Sequence, residues 1–213
     1  MLVGIAKRHG LFIISDETYR DIIFSGKPST LLSRKDARER VIVVDSASKR
    51  FSLPGARAGC LVSFNEKVTA AVLRFAMARL STGTLEQFAI IPLLRNHRSY
   101  VKRIAAEYKR RHDAVIRALR KIPGVVVRSA SGAFYLSMRL PVDDAEDFIM
   151  FMLKDFSYRG KTVALAPMAG FYWTRGLGKD AVRIAYVLER KKLVEAIGIL
   201  RRGLEAYQER RHV

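Results

Sequence analysis

Unbroken apolar runs alternate with helix-period segments through the first half of the chain. Leu11-Phe12-Ile13-Ile14-Ser15 and Val41-Ile42-Val43-Val44 lack polar interruption, the pattern of buried strands in a parallel sheet covered on both faces. Residues 2–9 read as the end of a helix, and Asp16 to Pro28 as a loop punctuated by Gly26 and Pro28. Leu61-Val62-Ser63 reads as a third strand. Glu66 to Arg79 follows as a helix with Val68, Val72 and Phe75 facing inward. Strand and helix alternate here, which predicts an α/β layer.

After Pro92 the texture changes. A long helix is expected over Tyr100 to Ile122, stopped by Pro123-Gly124. Short strands follow at Val125-Val126-Val127 and from Ala133 to Met138. A helix near Ala145–Phe156, a strand at Val182–Val187 and a closing helix at about Lys191–Tyr207 complete an α+β unit. That closing helix is expected to bury Leu193, Ile197, Leu200, Leu204 and Tyr207. The boundary falls near residue 95, so residues 1–95 form one domain and 96–213 a bridging helix with a smaller second domain. There is no internal repeat.

Composition agrees with a folded chain: 49% of the residues are hydrophobic and 28% charged, which argues against disorder. One cysteine, Cys60, rules out an internal disulfide and suits a reducing cytoplasm. No apolar run approaches the roughly 18 residues of a membrane span, and the first residues lack the pattern of a signal peptide. The expected location is cytoplasmic, with no membrane partner. The formal charge of +19 raises the question of a polyanion. Its densest stretch, Arg95 to Lys121, also carries Val101, Ile104, Tyr108, Val115, Leu119 and Ile122 at helical spacing, so the charges read as a solvated helix face. No zinc-ligand spacing, helix-turn-helix pattern or aromatic-interleaved basic stretch accompanies them. Nucleic acid is therefore not the expected partner.

Chemistry gathers where the strands end. Ligands of open α/β sheets bind outside the carboxyl ends of the strands, and both Asp16 and Lys49 follow such ends. A carboxylate opposite a pyridine nitrogen keeps it protonated, so the ring can accept electrons from a carbanion. A partly desolvated lysine near a cation loses basicity, and can then form an imine and move protons. Tyr19 offers a hydrogen bond to a phenolate oxygen. Ser46, Ser48 and Arg57 offer a hydroxyl and guanidinium grip on a phosphate, while Gly55 and Gly59 permit close backbone approach. These are the requirements of pyridoxal 5'-phosphate. Taken singly, each residue has an ordinary structural explanation, as a turn former or a solvated charge; order and spacing carry the argument.

Ser46 to Gly59, S-A-S-K-R-F-S-L-P-G-A-R-A-G, resembles the lysine signature of class I/II pyridoxal-phosphate aminotransferases at every restricted position. D-E-T-Y at Asp16–Tyr19 resembles the family's D-E-x-Y, and V-R-I-A-Y-V at Val182–Val187 resembles its arginine-bearing strand. The resemblance implies a partial fold-type I large domain, mainly parallel, followed by the small C-terminal domain. It also implies amino-group transfer between an amino acid and a 2-oxo acid. By position, Lys49 would attach the cofactor and move the proton at the substrate Cα. Asp16 would pair with the pyridine nitrogen and Tyr19 with the phenolate oxygen; Ser46 and Arg57 would hold the phosphate, with Ser48 as a helper. Arg183 would clamp the substrate carboxylate in two-point fashion. Phe171, Tyr172 and Trp173 form an aromatic run just before it, open to packing or to substrate contact.

Enzymes of this family are about twice as long. The segment that would carry the first phosphate loop, the stacking aromatic and the asparagine on the ring oxygen has no counterpart in residues 1–15. An apolar sheet edge and an uncovered face are therefore expected. Three readings follow: a C-terminal half active with a complementing N-terminal half, a non-enzymatic remnant that dimerises or binds a partner, and a polyanion binder. The first is preferred, with a homodimer expected by resemblance.

Overall fold

The links between strands decide the first sheet. In the computed structural model, which describes residues 1–211, β1 (Ile13–Asp16), β2 (Val41–Ser46) and β3 (Gly59–Ser63) form a three-stranded sheet in that order. Residues 17–40 leave room for a crossover, and β1 pairs with β2 in parallel, Asp16 opposite Val44. Residues 47–58 hold only a one-turn helix, α2 (Ala47–Arg50), and a 3-10 turn at Pro54–Ala56. So tight a return makes β3 antiparallel to β2, with Ser46 opposite Gly59. Only one of these two pairings is therefore parallel, short of the mainly parallel sheet expected.

One face of this sheet is covered. Helix α1 (Leu2–Arg8) contributes Val3, which packs with Ala37, Val41 and Val43, and Ile13, Leu31 and Leu32 close around them. The apolar run at 11–15 is not buried on both sides as its composition suggested. Leu11 and Phe12 precede the strand and are exposed, and Ile14 is 71% exposed, because a two-residue period sends it to the face that nothing covers.

Helix α3 (Glu66–Arg79) half-buries Val68, Val72 and Ala76, one turn apart. Phe75 lies on the margin of that stripe and is 78% exposed, against the inward placement expected. Helix α4 (Thr84–Arg95) was not anticipated. Pro92, after which the sequence changes texture, sits inside its last turn, and Leu85, Phe88 and Leu94 are exposed rather than aligned on one buried face.

The chain divides into two compact units, Met1–Ala105 and a second beginning at Ala106. The division falls inside helix α5 (His97–Leu119), ten residues beyond the boundary at 95. In the second unit β4 (Val126–Val127), β5 (Tyr135–Arg139), β7 (Ala181–Ala185) and β6 (Ala166–Pro167) form an antiparallel sheet in that order. The two-residue β6 is too short to leave a periodic signal. Helix α6 (Ala145–Lys154) is capped by Asp144, whose Oδ1 accepts from Glu146 N at 2.8 Å. Helix α7 (Arg190–Arg211) closes the unit and buries Leu193, Ile197, Leu200 and Leu204 with Phe148, Met152 and Val182 in the same core; Tyr207 is half-buried. Among the described residues no helix is long and apolar enough to cross a membrane.

Leu200 is fully buried. Leu200→Ala should cost about 2–5 kcal/mol through lost transfer energy and the cavity left behind. Urea unfolding followed by tyrosine fluorescence measures it, and a loss below about 1 kcal/mol would contradict the packing described.

Candidate active site

Asp16 closes β1 with its carboxylate in solvent. Its Oδ1 accepts the Thr18 hydroxyl at 2.5 Å and the Thr18 amide at 3.0 Å. Those two bonds, the hydroxyl first, hold the carboxyl below its ordinary value against a small opposing effect of burial. Asp16 is thus kept anionic, the state that pairs with a protonated pyridine nitrogen. Tyr19 stands half-buried one turn on, and both residues line a cavity of about 530 Å³ with Arg20, Lys27, Thr30 and Arg34.

Lys49 sits on α2, directly after β2. Ser46 caps that turn: its Oγ accepts the Ser48 amide at 3.1 Å, and lies 2.9 Å from Ser48 Oγ and 3.2 Å from Ala58 O. Ala47 N donates to Ala58 O at 3.1 Å, pinning the signature's two ends together. Gly59 is required there, since a Cβ would stand 2.8 Å from Asp45 O. Gly55, by contrast, has open space where a Cβ would stand. Arg57 is exposed, holds left-handed backbone at φ +49° and donates from Nη1 to Pro54 O at 2.9 Å. Ser46 and Arg57 line different cavities: about 170 Å³ with Asp45, Arg50, Ile90 and Leu94 for Ser46, and about 490 Å³ with Cys60 and Val72 for Arg57.

An ion network that the sequence reading did not identify joins the Asp16 segment to the Lys49 turn. Glu17, 6% exposed, accepts from Arg20 Nη1 and Thr30 Oγ1 at 2.9 Å and from Leu31 N at 3.1 Å. Arg20 Nη2 also lies 3.8 Å from Asp45 Oδ2. Burial works against the Arg20 charge, but the Glu17 bond and the Asp21 and Asp45 charges outweigh it and raise its pKa. Arg50 donates from Nη2 to Asp45 Oδ2 at 2.5 Å, and its Nε lies 2.5 Å from Asp21 Oδ2. The Nε approach is an ion pair without hydrogen-bond alignment. The available signal was the density of charge flanking the motif residues; which acid meets which base depends on a fold that brings residues 21, 45 and 50 together.

Arg183 belongs to the second unit, on β7 opposite Ser137 and Ala166. Its guanidinium carbon lies 4.5 Å from the Tyr135 ring centre and 4.8 Å from that of Phe171. Both rings stand within cation–π reach of the guanidinium. Among the described residues no ion pair holds Arg183. The aromatic run divides its tasks: Phe171 stacks on Arg183, Tyr172 occupies the space a Cβ at Gly178 would need, and Trp173 is fully exposed.

The neighbouring parallel strands β1 and β2 lead at their carboxyl ends into the Asp16–Tyr19 segment and the Lys49 turn, in an α/β layer of the kind found in pyridoxal-phosphate-dependent transferases of fold type I. The family model for aminotransferase class I and II matches residues 1–200, and the chain belongs to that family, whose cofactor is pyridoxal 5'-phosphate. It is 30% identical over 197 residues to aspartate aminotransferase of Thermotoga maritima, covering 92% of this chain and 48% of that protein. It is 29% identical over 210 residues to aromatic-amino-acid aminotransferase 2 of Thermococcus litoralis, covering 96% and 51%. The fold superimposes with a TM-score of 0.83 and 28% identity on LysN, the α-aminoadipate aminotransferase of Thermus thermophilus complexed with N-(5'-phosphopyridoxyl)-L-leucine, covering 96% and 53%. The chain spans about half the length of the curated relatives it matches.

Thr18→Val removes the stronger of the two bonds on Asp16. The stability linked to this ionisation is present above the ordinary carboxylate value and is lost as pH falls through the lowered one. The variant should therefore titrate Asp16 nearer 3.8 and move that loss to higher pH. Carbonyl-carbon NMR titration reads it directly, and an unchanged Asp16 curve would remove Thr18 as the cause.

Proposed function

We propose that the chain is the lysine-bearing half of a pyridoxal-phosphate-dependent aminotransferase, exchanging an amino group between an amino acid and a 2-oxo acid. The observation that carries this reading is the placement of the Ser46–Gly59 signature at the carboxyl end of β2, beside the parallel strand that ends in an anionic Asp16. The donor set fits the cofactor: an acceptor for a ring N–H, a phenol, an amine, and a hydroxyl and guanidinium for a phosphate. Bound there, the cofactor supplies an electron sink for a carbon that has lost its proton. Asp16 would keep the ring nitrogen protonated, and Tyr19 would donate a hydrogen bond to the ring oxygen. Lys49 would hold the cofactor at rest and, once released from it, take the proton from the substrate Cα. Ser46 and Arg57 would hold the phosphate, with Ser48, 2.9 Å from Ser46, as a helper. Arg183 would take the substrate α-carboxylate with its forked donors.

The proposed partners are the two substrates and either a homodimer mate or a complementing N-terminal half, in the cytoplasm. A second reading, a remnant that binds a partner without turnover, is favoured by one feature. Leu11 and Phe12 just before β1, Ile14 on it, and Leu73, Phe75, Leu85 and Phe88 on α3 and α4, are exposed in the first unit. Binding of a polyanion has less support. Several basic residues of α5 and the second unit are already paired, Arg110 and Arg111 with Glu107, Lys109 with Asp113 and Lys161 with Glu195.

Borohydride reduction of the chain with pyridoxal phosphate, followed by peptide mass mapping, should place a single phosphopyridoxyl group on Lys49, and Lys49→Ala should abolish it. Labelling scattered over surface lysines would defeat the reading for the isolated chain. Where turnover is reconstituted, Arg183→Lys should lower kcat/KM for the amino donor by roughly 10–100-fold, because lysine lacks the planar fork that grips a carboxylate at two points. An unaltered kcat/KM would remove Arg183 from the substrate site.

A further inference from the structure

Asp16, Tyr19, Ser46 and Lys49, proposed to face the cofactor, each have a close sequence neighbour in the largely buried ion network. Asp21 lies two residues after Tyr19 and five after Asp16; Asp45 immediately precedes Ser46, and Arg50 immediately follows Lys49. Asp21, Asp45 and Arg50 are 14%, 10% and 12% exposed, so their charges interact with little solvent between them. Asp45 is shared three ways: Oδ1 accepts the Ser46 amide at 2.7 Å, and Oδ2 meets Arg50 at 2.5 Å and Arg20 at 3.8 Å. Arg50 completes the circuit by reaching Asp21 in the other segment.

The network holds three carboxylates, Glu17, Asp21 and Asp45, against two guanidinium groups, Arg20 and Arg50. Acid is in excess, so the two bases have no substitute. Arg20 is committed to Glu17 at 2.9 Å and stands 3.7 Å from Asp21. Without Arg50 the Asp21 and Asp45 carboxylates would be partly buried with only that distant cation between them, and their repulsion would drive the segments apart. The two contacts of Arg50 come from different nitrogens of one planar fork, so its geometry fixes a spacing as well as balancing charge.

We propose that Arg50 is a positioning residue whose fork sets the spacing between the Asp16–Tyr19 segment and the Lys49 turn. The use of that spacing in catalysis rests on the cofactor reading above; the link itself does not.

Hydrogen exchange of the full chain, read by mass spectrometry, separates the two. Asp21→Asn keeps the shape of its side chain and removes only the far end of the link. It should speed amide exchange at least roughly tenfold in residues 46–53, some 25 positions away in sequence, with α7 unchanged. Arg50→Lys should speed exchange in both 17–24 and 46–53, because it restores the charge and not the fork. Exchange at 46–53 untouched by Asp21→Asn, or wild-type protection in Arg50→Lys, would overturn the proposal. Borohydride labelling of the same proteins supplies the second arm, with phosphopyridoxyl-Lys49 expected to fall in Asp21→Asn relative to wild type. Equal labelling would deny the link any part in placing Lys49. A wild-type chain that takes no label at Lys49 would defeat the cofactor reading instead, with the exchange result still deciding the link.

Discussion

The parallel register of β1 against β2 is the constraint on which the first unit's chemistry depends. Because Asp16 lies opposite Val44, both strands finish at the same edge of the sheet, and whatever follows each of them is delivered there. A one-residue slip would reverse every side chain on β1 and move Asp16 to the other face. Two features resist it. Glu17 N donates to Val44 O at 2.9 Å, which extends the pairing past the strand's end, and the Glu17 carboxylate anchors residues 30 and 31.

The ion network adds direction to that register. Buried charge pairs are weak sources of net stability, because removing each ion from water costs several kcal/mol that attraction must first offset. Their value lies in geometry, since misplaced partners lose the attraction and keep the cost. Glu17, Asp21 and Asp45 therefore tolerate few arrangements around Arg20 and Arg50. Asp16, by comparison, is held by a local bond to Thr18 in its own turn, which tunes its ionisation and does nothing for its distance from Lys49. Tuning and placement are thus supplied by different side chains.

The sequence disclosed the parts of this arrangement that are local. The Ser46–Gly59 signature, the strand before it, α6 and α7 all rest on periodicity, caps or contiguous motif residues. The failures share a cause. The burial expected for Ile14 and Phe75 assumed cover on a face that this chain leaves open. Helix α4 escaped notice because its apolar residues do not converge on a buried stripe, and β6 because two residues have no period. The Asp21–Arg50–Asp45 link pairs residues up to 29 positions apart, and its charges look in sequence like ordinary solvated ones. Arg183 was legible as a motif residue, while its contacts with Tyr135 and Phe171 needed the β5–β7 pairing and the turn at 169–171 to bring the rings to it.

The open face also bears on chemistry. Charge stabilisation of the kind a carbanion requires weakens steeply when water is present, falling by about fivefold between a dry-protein dielectric of about 4 and a surface-like one of about 20. Here Asp16 and Arg57 are exposed, Ile14 meets solvent beside Asp16 along β1, and the Asp16 cavity takes in the charged Glu17, Arg20, Lys27 and Arg34. The side chains provide specificity of position without exclusion of water. A surface that covers Phe12 and Ile14 would supply both missing terms, burying apolar area worth about 25 cal/mol per Å² and drying the edge where Asp16 and the Lys49 turn end. The same cover that stabilises the sheet is then the one that makes its chemistry effective, which ties the folding of this half to any turnover it supports.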